Sequence, residues 1–150
     1  MPNVATFCTS FKRELLLGLH ALGTSVVRAS TAKDVLRAAA YLTSGNLDAN
    51  TTAYTITGEA TGAGYTAGGV TVANATEPAT FGSTAFWTPS GAIVLTGVTI
   101  GPVDAILLYN STQGNRAIGV FGFTPTTVAA GTLTLTMPVN SDVQALVQLR

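Results

Sequence analysis

Charged side chains are scarce in this chain. Asp, Glu, Lys and Arg make up 9% of its 150 residues, against about a quarter in a typical soluble domain, and the formal net charge is zero. Hydrophobic residues make up 47%, which excludes intrinsic disorder, since disorder requires low hydrophobicity and high net charge. A monomer with so little surface charge would be poorly soluble. The composition therefore indicates a surface suited to dense packing beside other protein.

Reactive side chains are also few. The single cysteine, Cys8, excludes a disulfide framework and a cysteine-rich zinc site. The single histidine, His20, excludes a histidine metal cluster and leaves one candidate base. No serine lies in a G-x-S-x-G elbow, and five of the seven acids are scattered singly, at Asp48, Glu59, Glu77, Asp104 and Asp142. We therefore expect no enzymatic activity, no metal and no cofactor, and we expect Cys8 and His20 to be packing residues.

The distribution of charge bears on partners. Residues 1–37 carry five basic and two acidic residues, for a net +3, and residues 38–150 carry a net −3. The five cations form no dense run, and only Phe11 lies among them as an aromatic, so nucleic-acid binding is not expected. Nor is a membrane partner or a secretory signal, because the apolar stretch over residues 15–22 is short and interrupted. The asymmetry predicts that the two ends of the chain face different neighbours.

Periodicity predicts one helix before a body of strands. Phe11, Leu15, Leu19 and Leu22 are spaced as on one helix face, which predicts an amphipathic helix over residues 11–22 that is capped by Ser10 and ends at Gly23. Residues 33–43 fit either a helix or a first strand, since their Ala and Leu content favours a helix while a β-meander would use them as a strand.

The remainder is typical of β-structure. The chain has 25 threonines, many in alternation with apolar residues, and turn signals recur about every ten residues. This pattern predicts a mainly β domain, an antiparallel β-sandwich of jelly-roll-like type with the short N-terminal helix. We expect a single domain over residues 1–150, with an N-terminal arm and helix over 1–32 and the sandwich body over 33–150. Strands are predicted at residues 53–57, 69–73, 92–100, 105–109, 116–123, 131–137 and 145–149.

Residues 61–69, TGAGYTAGG, form a glycine-rich loop. It lacks the Lys-Ser/Thr ending of a P-loop and the G-x-G-x-x-G spacing of a dinucleotide site. We instead predict a long loop of defined conformation. Its glycines allow close approach of the backbone, and the side chain of Tyr65 anchors it.

Three stretches of the chain resemble a family of small structural proteins encoded among the head and tail genes of tailed bacteriophages. They are SFKRELLLGLH, YLTSGNLDANTTAYTITGEATGAGYTAGG and AILLYNSTQGNRAIGVFGF, at residues 10–20, 41–69 and 105–123. The family shows a short N-terminal helix, a TAY-T-TGE-GTGYTAGG loop and an LIYNSS-GNRA hairpin. The resemblance covers most of the chain, although residues 74–99 carry little of the pattern. It implies a virion component without catalytic residues, a capsid cement or decoration protein, with a tail or neck protein as the alternative.

This resemblance also implies partners. The protein would be assembled in the host cytoplasm, lie in the virion and bind the major capsid protein. As our own hypothesis, we further expect it to associate with itself as a homo-oligomer, a homotrimer. The N-terminal quarter would dock on the shell, unless its helix simply closes the sandwich. The residues expected to make that contact are Phe11, Lys12, Arg13, Leu15, Leu19 and Arg28. The residues expected between subunits are Gly62, Gly64, Tyr65, Gly68, Asn110, Asn115 and Arg116.

A glycan-binding sandwich is a further class, and it would require a row of exposed aromatic side chains. The candidates are Tyr65, Phe81, Phe86 and Trp87.

Overall fold

The computed structural model describes residues 3–16, 18–23 and 32–150, without the side chains of Lys12, Arg13 and Leu16. These residues form eight strands and one helix. Their bounds are β1 Thr6–Phe7, α1 Thr9–Leu16, β2 Leu36–Leu42, β3 Val70–Val72, β4 Ala79–Phe81, β5 Thr84–Trp87, β6 Ile93–Asn110, β7 Arg116–Leu135 and β8 Val147–Leu149.

The strands form two antiparallel sheets. The larger has the order β1-β7-β6-β2-β3 and the smaller the order β4-β5-β8. The fold class expected from the sequence, a mainly β protein with antiparallel sheets and one short N-terminal helix, is confirmed. Among the described residues, no helix is long and apolar enough to cross a bilayer.

A long hairpin, β6 with β7, forms the centre of the larger sheet. The sequence predicts turns at Gly101-Pro102 and at Pro125, but the strands continue through both. The pairing shifts register between Ile100 and Val103 and again between Val103 and Ala105. Such bulges accommodate proline, which has no N–H to donate to the ladder. Four predicted strands, 92–100, 105–109, 116–123 and 131–137, therefore merge into two.

Strand pairing decides two other predictions of secondary structure. The ambiguous stretch 33–43 contains a strand, β2, which lies between β6 and β3. Its high alanine content did not produce a helix because tertiary pairing overrides intrinsic propensity. The predicted strand at 53–57 is wrong, since only an isolated bridge from Ala53 to Arg116 occurs there.

The helix is shorter than the sequence predicts. Helix α1 occupies Thr9–Leu16, so Ser10 lies inside it rather than capping it. Residues 19–23 are not helical, and the predicted end at Gly23 is also wrong.

Gly18 is the residue that ends α1. It has a φ of 65°, its N–H donates to the carbonyl of Leu15 at 3.1 Å, and the N–H of Leu19 donates to the carbonyl of Glu14 at 3.0 Å. This pair of bonds is a Schellman motif, which glycine favours because it tolerates the left-handed conformation. The apolar spacing continues beyond the helix, which is why periodicity alone overestimates its length.

The larger sheet is covered on both faces around the second half of β6. The last eight residues of β6, from Val103 to Asn110, are all buried, and successive side chains of a strand point to opposite faces. Tyr109 stacks on Tyr54 at 4.9 Å between ring centroids, so residues of the 54–69 segment cover its face. Asn110 contacts His20, so the N-terminal segment covers the other face.

A substitution at Gly69 tests whether the glycine-rich loop packs closely against β2. Gly69 and Gly114 share a φ of 67°, but a Cβ at Gly69 would overlap the carbonyl oxygen of Ala38, whereas one at Gly114 would meet nothing within 4 Å. We expect Gly114→Ala to lower the free energy of unfolding by about 1 kcal/mol from backbone conformation alone. Gly69→Ala should cost about 3 kcal/mol or more, because steric overlap is added. Equal losses in urea unfolding would show that the loop does not press on β2.

Candidate functional site

Two groups of polar residues, each built around at least one buried carboxylate, lie on opposite faces of the larger sheet. The first, on the face covered by the N-terminal segment, is called here the Glu14–Asp34 network. It consists of Glu14, His20, Asp34, Asn110, Gln113 and Arg116. The second, on the face covered by the glycine-rich loop, is called the Glu59 cluster. It consists of Tyr54, Glu59, Tyr65 and Gly68.

Two carboxylates organise the Glu14–Asp34 network. Glu14 is 2% exposed and accepts hydrogen bonds from Arg116 Nη1 at 2.6 Å and from His20 Nε2 at 2.8 Å. Asp34 accepts from Asn110 Nδ2 at 2.7 Å and from Gln113 Nε2 at 3.0 Å. Because these residues are remote in sequence, the network joins α1 and the segment after it to the β6–β7 turn.

The hydrogen bonds of Asn110 fix the protonation state of His20. The Asn110 Oδ1 accepts from the N–H of Gln113 at 3.1 Å, which orients the amide so that its Nδ2 faces both Asp34 and His20 Nδ1, the latter at 2.9 Å. The His20 Nδ1 must then accept, so the imidazole is neutral and donates from Nε2 to Glu14. Burial lowers the pKa of His20, against the opposing effect of Glu14.

This arrangement leaves no imidazole nitrogen for proton transfer. In a hydrolase triad one nitrogen faces a carboxylate and the other accepts a proton from the nucleophile. His20 has the carboxylate partner, Glu14, but its second nitrogen is held by the Asn110 amide. The prediction that His20 is a packed residue is confirmed, since its side chain is fully buried.

Cys8 is also a packing residue, as predicted. Its side chain is fully buried, and burial raises the pKa of the thiol to about 11, with the carboxylates of Glu14 and Asp48 adding to the effect. The nearby helix start therefore does not activate it. Within the part of the chain that the structure describes, no group of three or more His, Cys, Asp or Glu side chains is placed to hold a metal ion.

Glu59 holds the glycine-rich loop against the sheet. Its carboxylate accepts hydrogen bonds from Tyr54 Oη at 2.6 Å, from Tyr65 Oη at 2.8 Å and from the N–H of Gly68 at 2.7 Å. The same Tyr65 Oη accepts from the N–H of Ala40 at 2.9 Å, in β2. Burial, followed by the bond to Glu59, raises the pKa of Tyr54 to about 12. The prediction that Tyr65 anchors the loop is confirmed.

Carbonyl oxygens of the same loop also have side-chain partners. Arg37 donates to Gly68 from Nε at 3.1 Å and to Gly69 from Nη2 at 2.7 Å, and Tyr109 Oη donates to Gly68 at 2.8 Å. A small pocket of about 100 Å³ remains between the loop and β6, and no charged side chain lines it. These carbonyl oxygens of the loop therefore accept hydrogen bonds from side chains of the same chain.

No protein-family model, curated protein or solved structure matches this chain.

Of the six predicted shell contacts, the structure describes the side chains of Phe11, Leu15 and Leu19, and none of these three is fully exposed. Phe11 is 1% exposed and packs against Phe7 and His20, with ring centroids 5.8 and 4.9 Å away. It is therefore not available as a surface anchor in this conformation, and it instead supports the alternative that the helix closes the sheet. Leu15 and Leu19 are half-buried. The side chains of Lys12 and Arg13, and all of Arg28, lie outside the described residues.

The predicted inter-subunit loops are also only partly exposed. Gly62 and Gly64 are exposed, although a Cβ at either would overlap a carbonyl oxygen of β6, and Gly68 is buried beside Glu59. Asn110 is fully buried, so it is a network residue and not a surface contact. Asn115 and Arg116 are exposed and remain available.

A row of exposed aromatics, as glycan binding requires, is not formed by the four candidates. Trp87 is 2% exposed, and its Nε1 donates to the carbonyl of Thr76 at 3.0 Å. Tyr65 is committed to Glu59, and Phe86 is half-buried. Phe81 alone among the four is largely exposed, at 69%.

Sequence reasoning missed the buried acids. In the sequence, Glu14 and Asp34 are only charges of the N-terminal quarter and Glu59 is only a singly placed acid, so their burial is a finding of the structure. A usable signal was present for Asn110, which directly follows the apolar run of residues 105–109 and so ends a buried strand. For Glu14 and Asp34 no local signal exists, because their partners are far away in sequence.

The single histidine makes the Glu14–Asp34 network testable by pH. We expect the free energy of unfolding to fall as the pH drops below about 6.5, the ordinary pKa of histidine. Unfolded His20 binds a proton in that range while the buried imidazole does not, so the unfolded state is favoured. The free energy of unfolding would change with pH by at most about 1.4 kcal/mol per pH unit from this one group. Urea unfolding at neutral and mildly acidic pH measures it. His20→Gln should remove this component; an unchanged slope in the variant would contradict the assignment.

Substitution of Tyr65 tests how much the Glu59 cluster contributes to stability. Tyr65→Phe removes a donor to Glu59 and leaves the N–H of Ala40 without its acceptor, so we expect a loss of about 2 kcal/mol in the free energy of unfolding. Tyr54→Phe is the matched control, because it also removes a donor to Glu59 but leaves the N–H of Ala40 with its acceptor, and it should cost about 1 kcal/mol. Equal costs in urea unfolding would mean that Tyr65 does not anchor the loop.

Proposed function

We propose that this protein is a non-enzymatic structural component of a tailed-phage virion, most specifically a capsid cement or decoration protein. It would act by packing against the shell and against other copies of itself. The sequence resemblance at residues 10–20, 41–69 and 105–123 supports the virion setting, and the distribution of charge in the structure supports the mode of action.

The observation that carries the proposal is where the acids lie. Of the seven acidic residues, Glu14, Asp34, Glu59 and Asp104 are at most 7% exposed. The surface that the structure describes is therefore even poorer in negative charge than the composition suggests, and threonine and alanine are the commonest residues on it. Burying a charge in an interface costs several kcal/mol unless it is paired, whereas burying threonine or alanine costs little. Such a surface suits close packing in a repeating assembly.

The N-terminal segment remains our candidate for the shell contact, with one change from the sequence-based prediction. Phe11 is assigned to the core, and the apolar part of the contact falls to the half-buried Leu15 and Leu19. Repetition over a symmetric shell would add avidity to this small contact.

Quantitative mass spectrometry of purified virions of the phage that encodes the chain tests this function. We expect a copy number comparable with that of the major capsid protein, because a cement protein occupies repeated positions on the shell. A known tail protein of the same particle provides the low-copy reference. A copy number near that reference would transfer the protein to the tail or neck and overturn the cement assignment. Absence from the virion would overturn the structural role in the particle altogether.

A further inference from the structure

The C-terminal part of β7 has a free backbone edge. Residues 131–135 pair with β6 on one side, from Gly131 with Val98 to Leu135 with Ile93. On the other side no strand of the described chain pairs with them, because β1 contacts β7 only at Gly119 and Val120. A free edge presents a row of backbone N–H and C=O groups that can pair with another strand.

This edge carries neither a charged side chain nor a proline, and the register shift beside it, between Leu95 and Val98, places its extra residue in β6 and not in β7. Natural edge strands are blunted by charged side chains, proline or bulges. The preceding part of β7 has such features, with Pro125 and the positive φ of 46° at Ala130. Residues 131–135 have neither, and no charged residue occurs between Arg116 and Asp142. The unprotected edge therefore begins after Ala130 and ends before Pro138.

The sequence of this edge is symmetric about Thr134. Residues 132–136 read Thr-Leu-Thr-Leu-Thr. Suppose that two copies pair antiparallel about a two-fold axis that passes between their Thr134 residues. Leu133 of each copy then lies opposite Leu135 of the other, and the two Thr134 residues lie opposite each other. Directly opposite side chains in a ladder share a face and interact.

Burial in the single chain agrees with that register. Leu133 and Leu135 are half-buried and pack on the core, while Thr132 and Thr134 are exposed. Pairing about Thr134 would place leucine beside leucine on the core side and threonine beside threonine on the solvent side. A shift by one residue would set leucine against threonine and lose this match.

We propose that two copies of this chain associate through the free edges of β7, residues 131–135, and so join their larger sheets into one continuous antiparallel sheet. We choose a second copy as the partner because the edge matches itself: leucine meets leucine on the core side and threonine meets threonine on the solvent side. In addition, the edge holds no charge that would select a partner of opposite sign. This contact does not depend on the virion role, since it follows from the edge alone.

Thr134→Lys tests the contact in the purified full-length protein. It places two like charges opposite each other at the two-fold axis, and we expect the dimer dissociation constant to rise by about tenfold or more. Thr80→Lys is the matched control, because Thr80 is an exposed threonine in β4, an edge strand of the other sheet. It should leave association unchanged. Sedimentation velocity across a dilution series measures both variants, and circular dichroism checks that each is folded.

Two further measurements make the result specific to Thr134. Mixing Thr134→Lys with Thr134→Glu should restore association as a mixed dimer, which a general destabilisation would not do. Thr134→Cys should form a covalent dimer on mild oxidation, because directly opposite residues in an antiparallel pair lie within disulfide range, and the native Cys8 is buried. A protein that is monomeric throughout the dilution series, or a dimer unaffected by Thr134→Lys, would overturn the proposal.

Discussion

Burial of β6 on both faces is the constraint on which the rest of the structure depends. A strand with eight consecutive buried residues, from Val103 to Asn110, needs a strand on each side and a layer on each face. The strands β2 and β7 supply the sides. The N-terminal segment supplies one layer and residues 54–69 the other. Neither layer is a regular sheet, so both are held by hydrogen bonds to buried polar side chains.

The two polar groups meet this need in different ways. On one face Glu59 collects donors from a single loop and from β2, so it fixes the shape of that loop. On the other face Glu14 and Asp34 connect segments that are remote in sequence, through His20 and Asn110. Unpaired buried polar groups are costly, which explains why each of these carboxylates has at least two donors. Three of the seven acidic residues, Glu14, Asp34 and Glu59, are thus used to assemble the interior.

How much could be predicted from the sequence depends on the range of the interaction. Threonine alternation and the apolar run of residues 105–109 predicted antiparallel sheets and a core strand, because strand patterning is local. The anchoring role of Tyr65 was also predictable from its place among glycines. The end of α1 at Gly18 was not, since the apolar spacing continues past it. The burial of Glu14 and Asp34 depends on tertiary contacts that no local pattern contains.

The symmetry of an edge contact limits the assemblies that it can build. A two-fold contact uses the same patch on both copies, so it is complete after two copies and does not by itself form a ring of three. A trimer, as the phage resemblance implies, would need a separate surface that meets a different patch on the next copy. The edge at residues 131–135 and the N-terminal segment belong to different parts of the larger sheet, since β1 pairs with β7 at Gly119 and Val120 and Glu14 of α1 contacts Arg116, both remote from the free edge. Both contacts could therefore operate in one assembly, with the edge joining pairs and the second surface setting their arrangement.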